Sequence, residues 1–129
     1  MQQITFMDKY PVFTKTIEKD KTHFNNMDEI ISYLRQKIEK DPIAIYIGIF
    51  DHYTYTKGLE SHEISEDIHD AKNILCCFGD KLISPQIAAI RPRSFGIVVT
   101  DNAYVVSFLQ APSPVANKKM MQWVQEIEG

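Results

Sequence analysis

From residue 26 to residue 40 the apolar positions recur at helical spacing. Met27, Ile30, Ile31, Leu34 and Ile38 fall at offsets 0, 3, 4, 7 and 11, the stripe that a 3.6-residue period puts on one face. Asn26 followed by Glu29 has the form of a capping box, in which the Asn side chain accepts from the third helical amide and the Glu reaches back. Lys37 and Lys40 suit the carboxyl end of the dipole, and Pro42 pushes Asp41 out of helical geometry. A helix over Met27 to Lys40 is predicted.

The period then changes. Ile43, Ile45, Ile47 and Ile49 occupy one side of a strand, and Ala44, Tyr46, Gly48 and Phe50 the other. Both rows are apolar, which predicts a central strand covered on both faces. Past Phe50 the alternation runs on in polar residues, with Asp51, Tyr53, Tyr55 and Lys57 on one side and His52, Thr54 and Thr56 on the other, until Gly58. That reads as a strand leaving the core.

Other segments are punctuated by turns. Residues 4–11, ITFMDKYP, read either as one helical turn capped by Thr5 or as an extended arm closed by Pro11. Val12 to Lys19 alternates and is rich in β-branched residues, and reads as a strand near an edge, where its lysines reach water. Residues 59–72 offer Ser65 as a cap and Ile64, Ile68, Ala71 and Leu75 at helical offsets, predicting a short helix. Asn73 to Phe78 reads as strand, so the two assignments compete over Ile74 to Cys76. Ser84 to Arg93 is bracketed by Pro85 and Pro92 and is expected to be extended.

Ser94 to Leu109 predicts a hairpin turning at Asp101-Asn102, residues that tolerate the positive φ of a primed turn. Its register sets Phe95, Ile97 and Val99 against Phe108, Val106 and Tyr104, and leaves a thinner face of Gly96, Val98, Val105 and Ser107. Ser113 as cap and Pro114 in the first helical position open a last helix, with Ala116, Met120, Trp123, Val124 and Ile127 as its buried stripe. These elements predict an α+β single domain over residues 1–129: a mostly antiparallel sheet of about five strands, packed by two main helices and one short helix.

Composition narrows the function classes. Hydrophobic content of 44% with 24% charged residues is that of a folding chain. A formal net charge of −3 offers no broad phosphate-tracking surface, so no nucleic-acid partner is expected. No apolar run approaches the ~20 residues of a membrane span, and the first residues lack the basic and apolar parts of a secretory signal. Cys76 and Cys77 are adjacent, a spacing unsuited to a mutual disulfide, and their apolar neighbours predict buried, inert thiols. The expected setting is the cytoplasm, without a membrane partner.

Two clusters carry candidate chemistry. His52, Tyr53, Tyr55 and Lys57 lie where a rigid strand would deliver polar groups to a sheet end. Arg91 and Arg93, two apart in extended chain, present planar forks suited to carboxylate or phosphate. The plain alternatives are a solvated strand end and arginines paired with the protein's own acids. His23, His52, His62 and His69 match no compact ligand spacing, and there is no glycine-rich phosphate loop, so neither metal nor cofactor is expected.

The stretches FDHYTYTK (50–57), CCFGDKL (76–82), RPRSFG (91–96) and APSPVANKKMMQW (111–123) together resemble a family of short bacterial proteins of uncharacterised function. The resemblance spans most of residues 43–127 and implies no activity, substrate or site. Three readings therefore stand. The first is binding of a small anionic ligand or a partner's acidic group by His52, Tyr53, Tyr55, Lys57, Arg91 and Arg93. The second is an enzyme acting on a small anion, with His52 as acid or base and the arginines as clamp. The third is a structural homodimer joined through the thinner hairpin face. The first two share one condition, that residues 51–57 and 91–93 meet in space.

Overall fold

In a computed structural model that describes residues 1–129, the stripe beginning at Met27 forms the helix α1, Met27–Lys40. Asn26 Oδ1 accepts from the Glu29 amide at 2.9 Å, and Glu29 Oε1 accepts from the Asn25 amide at 2.9 Å. The helix α3, Pro114–Gln125, is capped by Ser113 in the same manner. All five stripe residues of α1, and the whole predicted stripe of α3, are buried. Each such aliphatic side chain contributes about 2 kcal/mol of transfer free energy.

Both helices pack on one face of a six-stranded antiparallel sheet. The strands are β1 (Gln2–Phe6), β2 (Tyr10–Glu18), β3 (Ala44–Phe50), β4 (Asp70–Phe78), β5 (Arg93–Val99) and β6 (Ala103–Leu109). Their order across the sheet is β1-β2-β6-β5-β4-β3. The core joins Ile17, Ile74, Phe95, Ile97, Tyr104, Val106 and Phe108 of the sheet to the two helix stripes. Trp123 stacks on Phe78 with centroids 5.9 Å apart and lies 6.5 Å from Phe95, while Tyr33 Oη donates to the Trp123 carbonyl at 2.7 Å. The α+β class and the single domain hold, with six strands in place of five.

The β5–β6 register is the predicted one, pairing Gly96 with Ser107, Ile97 with Val106, Val98 with Val105 and Val99 with Tyr104. Its turn is not primed. The only non-glycine residues with positive φ are Met7 (53°) and Asp8 (59°), which turn the β1–β2 hairpin. Residues 4–11 are thus neither a helical turn nor a lone arm. β2 lies near an edge, covered on its outer side by β1, and its Lys15 meets Glu128 at 3.5 Å.

Several expectations are corrected. The doubly apolar strand β3 is not central but forms the far edge of the sheet, with Ile45 61% and Ile47 50% exposed. A bulge between Tyr46 and Gly48 breaks the isoleucine row, so that Ile45 sits opposite Cys77 but Ile49 opposite Ile74. Residues 52–57 do not continue the strand. They form a short helix, α2 (His52–Lys57), because Asp51 Oδ1 accepts from the Thr54 amide at 3.1 Å and redirects the backbone.

The predicted helix over 59–72 is also absent. Residues 59–69 are irregular, and the His69 amide bonds the Val99 carbonyl at 2.8 Å, drawing the chain into β4. That settles Ile74 to Cys76 as strand. Residues 85–90 are a 3-10 helix capped by Ser84 instead of extended chain, and the Arg91–Pro92 peptide is cis.

Candidate functional site

The two candidate clusters lie at different ends and on different faces of the sheet. Phe50 is opposite Asn73 and Arg93 opposite Cys76, a separation of three residues, about 10 Å along β4. His52 continues beyond Phe50, whereas Arg91 precedes Arg93, so the clusters run apart from there. Arg93 shares the helix-covered face with buried Cys76. The cleft beside α2 is lined by Ala71 and Val98, a register pair on the opposite face. His52 and the arginines line no common cavity.

At the α2 end, His52 is exposed, with its ring 5.2 Å from that of Phe50. Tyr55 is exposed on the other flank of Phe50 at 5.5 Å. Half-buried Tyr53 has the Lys57 ammonium 5.6 Å from its ring centre, a modest cation–π contact at an exposed site. His52 and Tyr53 edge a cleft of about 240 Å³, whose floor includes Ile64, Ile68, Ala71 and Val98. Tyr53 and Lys57 face a second, more polar hollow of about 520 Å³ with His62, Glu63, Glu66 and His69. His62 is held to the Leu59 carbonyl at 2.9 Å and His69 to Asp101, so both imidazoles of that hollow are engaged locally. No three His, Cys, Asp or Glu side chains converge as a metal-holding group.

At the arginine end the surroundings differ. A cleft of about 190 Å³ opens between the end of β4, the 3-10 turn and the start of α3, lined by Phe78, Ile87, Ile90, Arg91, Arg93, Ala111, Pro112, Ser113 and Ala116. The sequence builds it in three steps. Ser84 caps the 3-10 turn through the Gln86 amide, which brings Ile87 and Ile90 to one wall. Arg93 Nη1 then donates to the Ile90 carbonyl at 3.1 Å, and Nη2 to the Leu109 carbonyl, tying turn, β5 and β6 together. Asn117 donates to the Ala111 carbonyl at 2.6 Å and accepts from its amide at 2.7 Å, fixing the loop before α3.

The electrostatics of this cleft are unbalanced. Arg93 Nε is the one buried side-chain polar atom left without a partner. Neither Arg91 nor Arg93 has a carboxylate oxygen within 4.0 Å, while six other ion pairs form elsewhere in the molecule. Arg91 donates only to the Lys81 carbonyl, at 3.5 Å. Burial pulls the Arg93 pKa below its ordinary value; Cys76 opposes this in part, and the Arg91 charge adds a smaller pull downward. The Cys76 thiol is itself pushed up to about 12, chiefly by burial, which makes it a poor nucleophile.

Reading the sequence picked out both arginines but none of their cleft partners. Ile87, Ile90 and Ala111 carry no chemical signature, and the Ser113-Pro114 cap marks a helix start without showing that it lies beside the arginines. No curated protein and no solved structure matches the chain. A family described as a family of unknown function (DUF6858) matches residues 1–129, and the chain belongs to it.

Proposed function

We propose that this protein binds a small anionic ligand, or the acidic group of a partner, in the cleft of Arg91 and Arg93 alone, without His52, Tyr53, Tyr55 and Lys57, which lie outside that cleft. The observation that carries this reading is a pair of half-buried guanidinium groups with no counter-ion. Removing a cation from water is costly unless it is paired. An arriving anion offsets that cost, and the fork of Arg suits an oxyanion. The arginines had a plainer use, pairing with the protein's own acids, and their geometry gives that no support. The enzyme reading loses its shared centre, since His52 lies beyond direct hydrogen-bond reach of the arginines.

The test is a thermal-shift screen of small anions with the Arg91→Ala variant alongside. Charge-assisted hydrogen bonds contribute about 1.5–3 kcal/mol, so Arg91→Ala should weaken a stabilising anion roughly tenfold to a hundredfold. Equal stabilisation of the variant would refute the assignment.

A second reading, self-association, rests on a separate observation: the sheet face away from α1 and α3 has no charged side chain among its central positions.

A further inference from the structure

We infer that the ligand of the arginine cleft is a small organic acid, one carboxylate on a compact apolar body, rather than a phosphate compound. This rests on the anion-binding reading and narrows it. Three features of the cleft support the choice. Its walls are mainly apolar: Phe78, Ile87, Ile90, Ala111, Pro112 and Ala116. An anion of phosphate type, solvated on every side, would place dehydrated oxygens against those walls.

The donors are also few. Sites that hold phosphate usually gather several backbone amides at a helix start or nest. Here Pro114 has no amide hydrogen to give, and the Ala116 amide is committed to Ser113 Oγ at 3.3 Å. The Asn117 amide is committed to the Ser113 carbonyl at 3.1 Å. What remains is Arg91, the Arg93 Nη hydrogens not given to the Ile90 and Leu109 carbonyls, and the hydroxyl and amide hydrogens of Ser113. Two oxygens can be satisfied by that set more readily than three or four.

Size sets the third limit. A cleft of about 190 Å³ is smaller than the ~300–1,000 Å³ usual for ligand pockets. It suits a short aliphatic acid and is too small for a nucleotide or a sugar phosphate to be enclosed. Ile90, 38% exposed, forms the rim against which such an apolar body would lie.

The experiment titrates the intact protein with acetate, isobutyrate, hexanoate and inorganic phosphate at constant ionic strength, reading thermal stabilisation. Arg91→Gln and Ile90→Ser are run in parallel. Isobutyrate and hexanoate should stabilise at lower concentration than acetate, and phosphate should not stabilise. Arg91→Gln should weaken every carboxylate at least tenfold, and Ile90→Ser should erase the advantage of hexanoate over acetate. Stabilisation by phosphate through Arg91, without stabilisation by carboxylates, would keep the anion site and overturn the organic-acid inference. Hexanoate binding untouched by Arg91→Gln would place it elsewhere and overturn the inference too. If no anion stabilises the protein, both readings fall.

Discussion

Asp41 shows how one side chain can join three elements. Its Oδ1 accepts from the Ile43 and Ala44 amides, each at 2.9 Å, and its Oδ2 meets Lys119 Nζ at 2.7 Å. It ends α1, starts β3 and holds α3, with only 7% of its side chain exposed. Burial alone would raise its pKa, but the Lys119 hydrogen bond and the two amides together hold it below the ordinary carboxylate value. A carboxyl depressed in the folded state contributes stability that is full above its unfolded pKa, near 3.9. That contribution is lost as pH falls through the folded value. Asp41→Ala should therefore cost about 2–4 kcal/mol at pH 7. The gap from the parent protein in urea midpoint should narrow markedly by pH 3. A gap independent of pH would mean that Asp41 acts by shape and not by charge.

Among the elements, the β1–β2 hairpin departs furthest from what its residues prefer. Met7 and Asp8 both hold the left-handed backbone of a primed turn, which costs a side-chain-bearing residue about 1–2 kcal/mol. Asn-Gly is the dipeptide suited to that turn. The double substitution Met7→Asn with Asp8→Gly should raise stability by about 1 kcal/mol. Met7→Ala should not, and a fall in melting temperature for the Asn-Gly variant would contradict the turn assignment.

The same hairpin shows why some elements were legible in the sequence and others not. α1, α3 and the β5–β6 register were readable because cap, period and turn length all agree at Asn26, Ser113 and Asp101-Asn102. The hairpin at Met7-Asp8 was not, since no turn residue of the usual kind marks it. At residues 51–57 the polar alternation reads as strand, and the fold instead has Asp51 capping a short helix. The edge position of β3 was hidden for another reason: a doubly apolar row specifies burial, and only strand order can place it at a rim. The arginines of the candidate site were visible by residue type, yet their separation from His52 follows from register, which a single chain does not display.

The whole molecule is a two-layer object whose second sheet face has no helix across its centre. Outward positions alternate with the buried ones, so Val12, Thr14 and Thr16 of β2, Val105 and Ser107 of β6, Ser94, Gly96 and Val98 of β5 and Asn73, Leu75 and Cys77 of β4 share that face. None is charged, in a chain that is 24% charged. Antiparallel sheets with a solvated face usually carry polar and charged residues there, and depletion of charge marks the centre of an interface. The four strands span about 15–20 Å in each direction, on the order of 300–400 Å² before β3 is added. A standard interface buries ~800 Å² per partner, so a weak two-fold dimer is the expected form. Ile45 and Ile47 at the adjoining edge would extend it. Val105→Lys places like charges across such an interface while its side chain stays on the outer face, so the fold should persist by circular dichroism. Sedimentation should then show the parent protein associating as concentration rises into the hundreds of micromolar, and the variant remaining monomeric. A parent protein monomeric over that whole range would remove the dimer and leave the face to solvent.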